Sequence, residues 1–117
     1  MGFKFENLRV WQLAIDLTVD VNNLAKKFPL EEKYVLAQQM QRAADSVALN
    51  IAEGSTGQTD PEFKRFLGFS IRSAVEVVSC LYIGRKRNII DEQDFSNLYE
   101  KYDSLIKSIQ ALKNTLG

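Results

Sequence analysis

Phe63-Lys-Arg-Phe-Leu-Gly-Phe-Ser-Ile-Arg-Ser-Ala-Val-Glu-Val-Val-Ser-Cys-Leu-Tyr82 decides the fold. Within it Phe63, Leu67, Ser70, Ala74, Val77 and Leu81 alternate spacings of four and three, which is the signature of one face of an α-helix. Asp60-Pro61-Glu62 precedes the stretch and supplies an N-cap, a proline in the first turn and an early acid. The spacing predicts a helix over about 61–87. A second apolar stripe, Ile71, Val75, Val78 and Tyr82, flanked by Phe66 and Phe69, runs along the same segment.

The same rhythm extends outward in both directions. Val10, Ala14, Leu17, Val21, Leu24 and Phe28 mark a first helix over about 8–28, with Asn7 placed to cap it and Pro29 to end it. Leu36, Met40, Ala43, Val47 and Ile51 mark a second over about 30–53, with Gly54 as its left-handed terminator. The loop Gly54–Asp60 follows. Beyond the short turn Asn88–Asp91, Asp91 caps a last helix over about 92–116, built on Phe95, Leu98, Tyr102, Leu105, Ile109, Leu112 and Leu116. No strand alternation competes. Long rods with short connections make antiparallel neighbours. The expected fold is all-α, an up-down-up-down antiparallel left-handed four-helix bundle, with residues 1–117 as a single domain.

Composition narrows the function. The 117 residues carry fifteen basic and fifteen acidic side chains, so the net charge is zero, and no histidine. A general polyanion binder is basic, and histidine is the commonest general base and metal ligand. Cys80 stands alone, without an intrachain disulfide or a zinc set, and reads as a packed small hydrophobe. The reading is a non-enzyme with no catalytic residues, cofactor or metal. The N-terminus lacks a signal core, and no apolar run approaches the ~20 residues of a membrane helix. A cytoplasmic protein with no membrane partner is expected.

One apolar face suffices for a helix in a small bundle. The surplus on the third helix, Phe66, Phe69, Ile71, Val75, Val78 and Tyr82, therefore points to a subunit interface in a homo-oligomer, the alternative being a wide core face in a monomeric bundle. Trp11, Leu13, Ile15 and Val19 add similar surplus on the first helix.

A polar stripe runs along the second helix: Gln39, Arg42, Ser46, Asn50 and Glu53. It serves either as a ligand site or as hydrogen bonds that fix helix register; the absence of a visible base favours the second. Glu76, midway along the apolar third helix, is expected to pair with Arg42, because a buried lone carboxylate is costly. Asp16 and Asp20 compete for Arg42. Glu53, at a helix C-terminus, calls for compensation from Arg9, Trp11, Lys64 or free N–H groups. Basic candidates for nucleic-acid binding are Arg85-Lys86-Arg87 and Lys64-Arg65. The rival partner class is another protein, bound through the bundle surface.

Several motifs combine into a likeness. They are Phe5-x-x-Leu8-x-Val10-Trp11-Gln12-x-Ala14, Phe28-Pro29-x-x-Glu32, Gln39-x-x-Arg42-Ala43-Ala44-x-Ser46-Val47-x-x-Asn50-Ile51-Ala52-Glu53-Gly54, then Glu62-Phe63-x-x-Phe66-Leu67 and Glu76. Over roughly residues 3 to 83 the chain resembles the bacterial four-helix bundle proteins known as 23S rRNA intervening-sequence proteins. The resemblance implies a barrel-shaped homopentamer with a central channel. It also implies kinship with accessory proteins of diversity-generating retroelements, which bind nucleic acid and a reverse transcriptase through a basic surface. Two positions depart from the pattern. Ala48 stands where many members have Pro, which predicts a straighter second helix, and Arg72-Ser73 replaces Gly-Ser, which means either a looser helix contact at that level or an Arg72 that points outward.

Overall fold

Four helices carry the chain in the computed structural model, which describes residues 2–57 and 59–117. A 3₁₀ turn, Lys4–Asn7, leads into α1, Arg9–Ala25. The second rod, α2, is continuous in three parts: Leu30–Glu32, a π-helical Lys33–Ala37, and Gln38–Ser55. Then come α3, Asp60–Lys86, and α4, Glu92–Thr115, with no strand among the described residues.

The terminators explain where expected ends shift. Asn7 belongs to the 3₁₀ turn, so Leu8 takes the cap position of α1 without a side-chain bond. At the other end Lys27 N and Phe28 N bond to Leu24 O and Ala25 O at 3.0 and 3.1 Å, tightening the backbone ahead of Pro29. Thr59 rather than Asp60 caps α3: its extended backbone lets its hydroxyl accept from Glu62 N at 3.3 Å. Asp91 caps α4 as expected, accepting from Asp94 N at 2.7 Å.

Gly54 does not terminate α2, which continues to Ser55. Its role is close approach: a Cβ there would stand 2.5 Å from the Cβ of Phe66 on α3. The left-handed position is instead Asn88, φ 61°, at the end of α3. Beyond it Ile89 N and Ile90 N both bond Gly84 O, and Ile90 folds onto the space that Gly84 leaves open. Ala48 is buried in unbroken helix, and the irregularity of α2 lies upstream in the π turn. Arg72 is exposed, the outward one of its two alternatives.

The inward stripes of all four helices meet in one cluster, with Met40, Val47, Ile51, Leu67, Leu81, Tyr102 and Ile109 fully buried. Each large apolar side chain so buried contributes about 1.5–3 kcal/mol relative to exposure. Cross-helix contacts tie each neighbouring pair of helices together. Gln41 meets Asn22 across α1–α2, and Ser70 meets Val47 across α2–α3. Tyr82 meets Phe95 across α3–α4, while Lys27 meets Asp94 and Lys101 meets Asp20 across α1–α4. The bundle measures 44 × 23 × 20 Å. Its α2–α3 seam is packed most densely, and the opposite α1–α4 seam least.

Candidate functional site

The polar stripe of α2 resolves into a short serine-centred ladder. Asn50 Nδ2 donates to Ser46 O at 2.9 Å and to Ser46 Oγ at 3.0 Å. Ser73 Oγ, from α3, donates to Ser46 Oγ at 2.8 Å. One turn deeper, Ser70 Oγ donates to Val47 O at 2.9 Å in a fully buried position. Ser70 and Ser73 complete the ladder from the facing helix. The only sequence signal for them is small polar residues within an apolar helix.

The expected Glu76–Arg42 pair does not form. Glu76 accepts from Gln39 Nε2 at 3.4 Å, and Arg42 makes no ion pair among the described residues. Both side chains are exposed, so water solvates each charge and no desolvation has to be offset. Asp20 is taken by Lys101 instead. Glu53 likewise stays exposed, without Arg9, Trp11 or Lys64 as a partner. The helix end is satisfied at the backbone, where Thr56 N and Thr56 Oγ1 both donate to Glu53 O, at 3.3 and 2.8 Å. The Ser46 hydroxyl accepts two bonds, from Asn50 and Ser73, and neither partner is a base. No group of three His, Cys, Asp or Glu able to hold a metal occurs among the described residues. Burial, and then Glu76, push the Cys80 thiol up, away from the thiolate form.

The second apolar stripe of α3 divides by exposure. Phe66, Phe69, Ile71 and Val78 are half-buried, whereas Val75 and Tyr82 are 53% and 47% exposed. Tyr82 leans edge-on against Phe95, with ring centroids 5.0 Å apart. Leu49, Tyr34 and Val35 of α2 are also exposed, at positions off the inward stripe that the periodicity did not single out. The register set by Val47 and Ser70 brings Val35 level with Tyr82. By length and composition α3 is apolar enough to cross a membrane, with an 18-residue window of mean hydropathy 1.5 that is only 33% buried. The expectation concerned an unbroken apolar run, and length and composition are a different measure. The apolar residues lie on two stripes and are interrupted by Arg72, Ser73, Glu76 and Ser79, so they never form an unbroken run.

The basic candidates form two separate clusters rather than one patch. Arg65 and Arg85 are twenty residues apart on one helix, about 30 Å at 1.5 Å per residue. Three of the five already face carboxylates: Arg85 with Glu92 at 3.2 Å, Arg87 with Glu32 at 3.9 Å, and Arg65 with Glu62. Arg85 also lies 3.8 Å above the Phe95 ring centroid. Lys64 and Lys86 make no ion pair among the described residues.

A family model described as 23S rRNA-intervening sequence protein matches residues 6–111. A crystal structure of a protein with unknown function from the S23 ribosomal protein family of Bacteroides thetaiotaomicron VPI-5482 is similar, with a TM-score of 0.83 and 19% identity. The alignment covers 89% of this chain and 97% of that one. At that identity the likeness speaks to fold. No curated protein matches the chain.

Proposed function

The chain belongs to the 23S rRNA-intervening sequence protein family, and on that footing we propose that it is a non-enzymatic, cytoplasmic scaffold whose copies assemble through the outer face of α3. The observation that carries this reading is the two-sided apolarity of α3. One stripe fills the core, and the other leaves Val75 and Tyr82 in water, with Val35 of α2 exposed at the level of Tyr82. Large apolar side chains left in water along one helix are what a second copy would remove from it. Five copies are the number that the family resemblance implies. The serine ladder holds α2 and α3 in register, so the face they present is a fixed surface for a second copy of the chain.

Sedimentation equilibrium tests the reading. The expected mass is a multiple of the 13.3 kDa chain. The double variant Val75→Asp, Tyr82→Asp is expected to sediment as a folded monomer. A wild-type monomer at micromolar concentration would overturn the proposal.

Nucleic-acid binding is the second reading and draws less support. Arg65, Arg85 and Arg87 face carboxylates, which leaves Lys64 and Lys86 as the cations without ion pairs. A symmetric ring would repeat those lysines, and affinity for an RNA backbone would then fall steeply with added salt. Alanine at Arg85, Lys86 and Arg87 is expected to weaken such binding; an unchanged affinity ends this reading.

A further inference from the structure

The α1–α4 seam is an open groove rather than a closed contact. Its larger part is a cavity of about 440 Å³ floored by Leu13, Leu17 and Leu105. Asp16, Asp20 and Glu100 stand along its rim, and Lys101 with them. A second hollow of about 160 Å³ continues the same seam over Leu24 and Leu98, rimmed by Lys27 and Asp94. From Leu13 to Lys27 the groove runs about 21 Å, the length of fourteen helical residues.

Charge and shape together select an occupant. Four carboxylates face two ammonium groups, a local acidic excess in a chain whose net charge is zero. The two lysines bridge the groove, Lys101 to Asp20 and Lys27 to Asp94, each at 3.0 Å. Lys101 and Lys27 are about half and two-thirds exposed, so both bridges exchange readily with competing cations. A straight apolar trough between antiparallel helices accepts a further helix, whose own apolar stripe lies on the leucines. Lysines or arginines flanking that stripe would meet Asp16, Asp20, Asp94 and Glu100.

We infer that the α1–α4 groove is a docking site for a cationic amphipathic helix of a partner protein. The inference deepens the scaffold reading by naming the partner's chemistry and placing it opposite the α2–α3 face.

Fluorescence anisotropy with labelled fourteen-residue peptides tests it. One peptide carries leucines at i, i+3, i+4 and i+7 among lysines, a second replaces lysine by glutamate, and a third scrambles the first. The periodic lysine peptide is expected to bind at least tenfold more tightly than either control, and less tightly as salt is added. Asp16→Lys with Glu100→Lys is expected to weaken it at least tenfold, with Asp16→Asn and Glu100→Gln as the milder pair should the reversal unfold the chain. Glu31→Lys, on α2, is expected to leave binding unchanged. Equal binding of the scrambled or acidic peptide, no binding, or indifference to both groove variants would overturn the inference. So would a change in the mass of the unliganded protein caused by the groove variants, since a second copy would then occupy the groove. Peptide binding by a chain that sediments as a monomer would leave the groove standing and remove the assembly.

Discussion

Two seams on opposite sides of the bundle show what periodicity leaves unspecified. Across α2–α3, small residues let the backbones close: Gly54 lies flush against Phe66, and the Ser46, Ser73 and Ser70 hydroxyls reach directly from helix to helix. Across α1–α4, leucines hold the helices apart, and the gap is spanned at its rim by Lys101–Asp20 and Lys27–Asp94. Both seams follow the same four-three rhythm. Their difference comes from side-chain size at the contact, which sets interhelical distance. The near seam is fixed by buried hydrogen bonds, and the far seam by exposed charges of little individual worth.

The largest expected effect attacks the near seam. Gly54→Ala gains up to about 1 kcal/mol of helix propensity if the site is open. The Phe66 contact reverses that sign, and overpacking is expected to cost about 2 kcal/mol net, read as a lower urea midpoint. A stabilised Gly54→Ala would mean that the seam is not close-packed. Ser70→Ala removes the buried bond to Val47 O and is expected to cost about 1 kcal/mol in the same assay.

Tyr102 gives a change of opposite sign. Its hydroxyl is buried and has no hydrogen-bond partner among the described residues. Tyr102→Phe is therefore expected to be neutral or to stabilise by about 0.5–1 kcal/mol. Burial first, then Asp20 and Asp45, push the phenol well above its ordinary value. A raised phenol keeps its proton in the folded state, so its contribution is intact below about pH 10, where the unfolded chain begins to ionise, and is lost as pH climbs beyond it. Urea midpoints measured from pH 9 upward are expected to fall less steeply in Tyr102→Phe than in the wild type. The smallest effect belongs to the far seam: Lys101→Ala is expected to change stability by at most about 0.5 kcal/mol. A loss several times larger would place that ion pair among the supports of the fold.

These residues also show how far the sequence could be read. The inward stripes of all four helices were legible, from Val10 through Ile109, because burial repeats at the helical period. The second stripe of α3 was legible as surplus, but its division into half-buried Ile71 and exposed Val75 was not, since that depends on where α4 lies. Glu76 was misplaced for the same reason: the spacing put it on an apolar helix but could not say which side faced water. Gly54 read as a terminator because glycine after a periodic run ordinarily is one; its approach to Phe66 exists only between two helices. The carboxylates facing Arg85 and Arg87 come from Glu92 and Glu32, brought together by tertiary packing.

The π-helical turn Lys33–Ala37 carries a consequence for the length of the chain. Such a turn houses one residue more than the α turn it replaces. Deleting Val35 would regularise it to α geometry and leave Leu30–Glu32 close to its present phase around the axis, so Glu32 is expected to stay within reach of Arg87. Everything from Gln38 onward would keep its phase. The π turn is thus a place where a codon can be lost without rethreading the interior of the bundle.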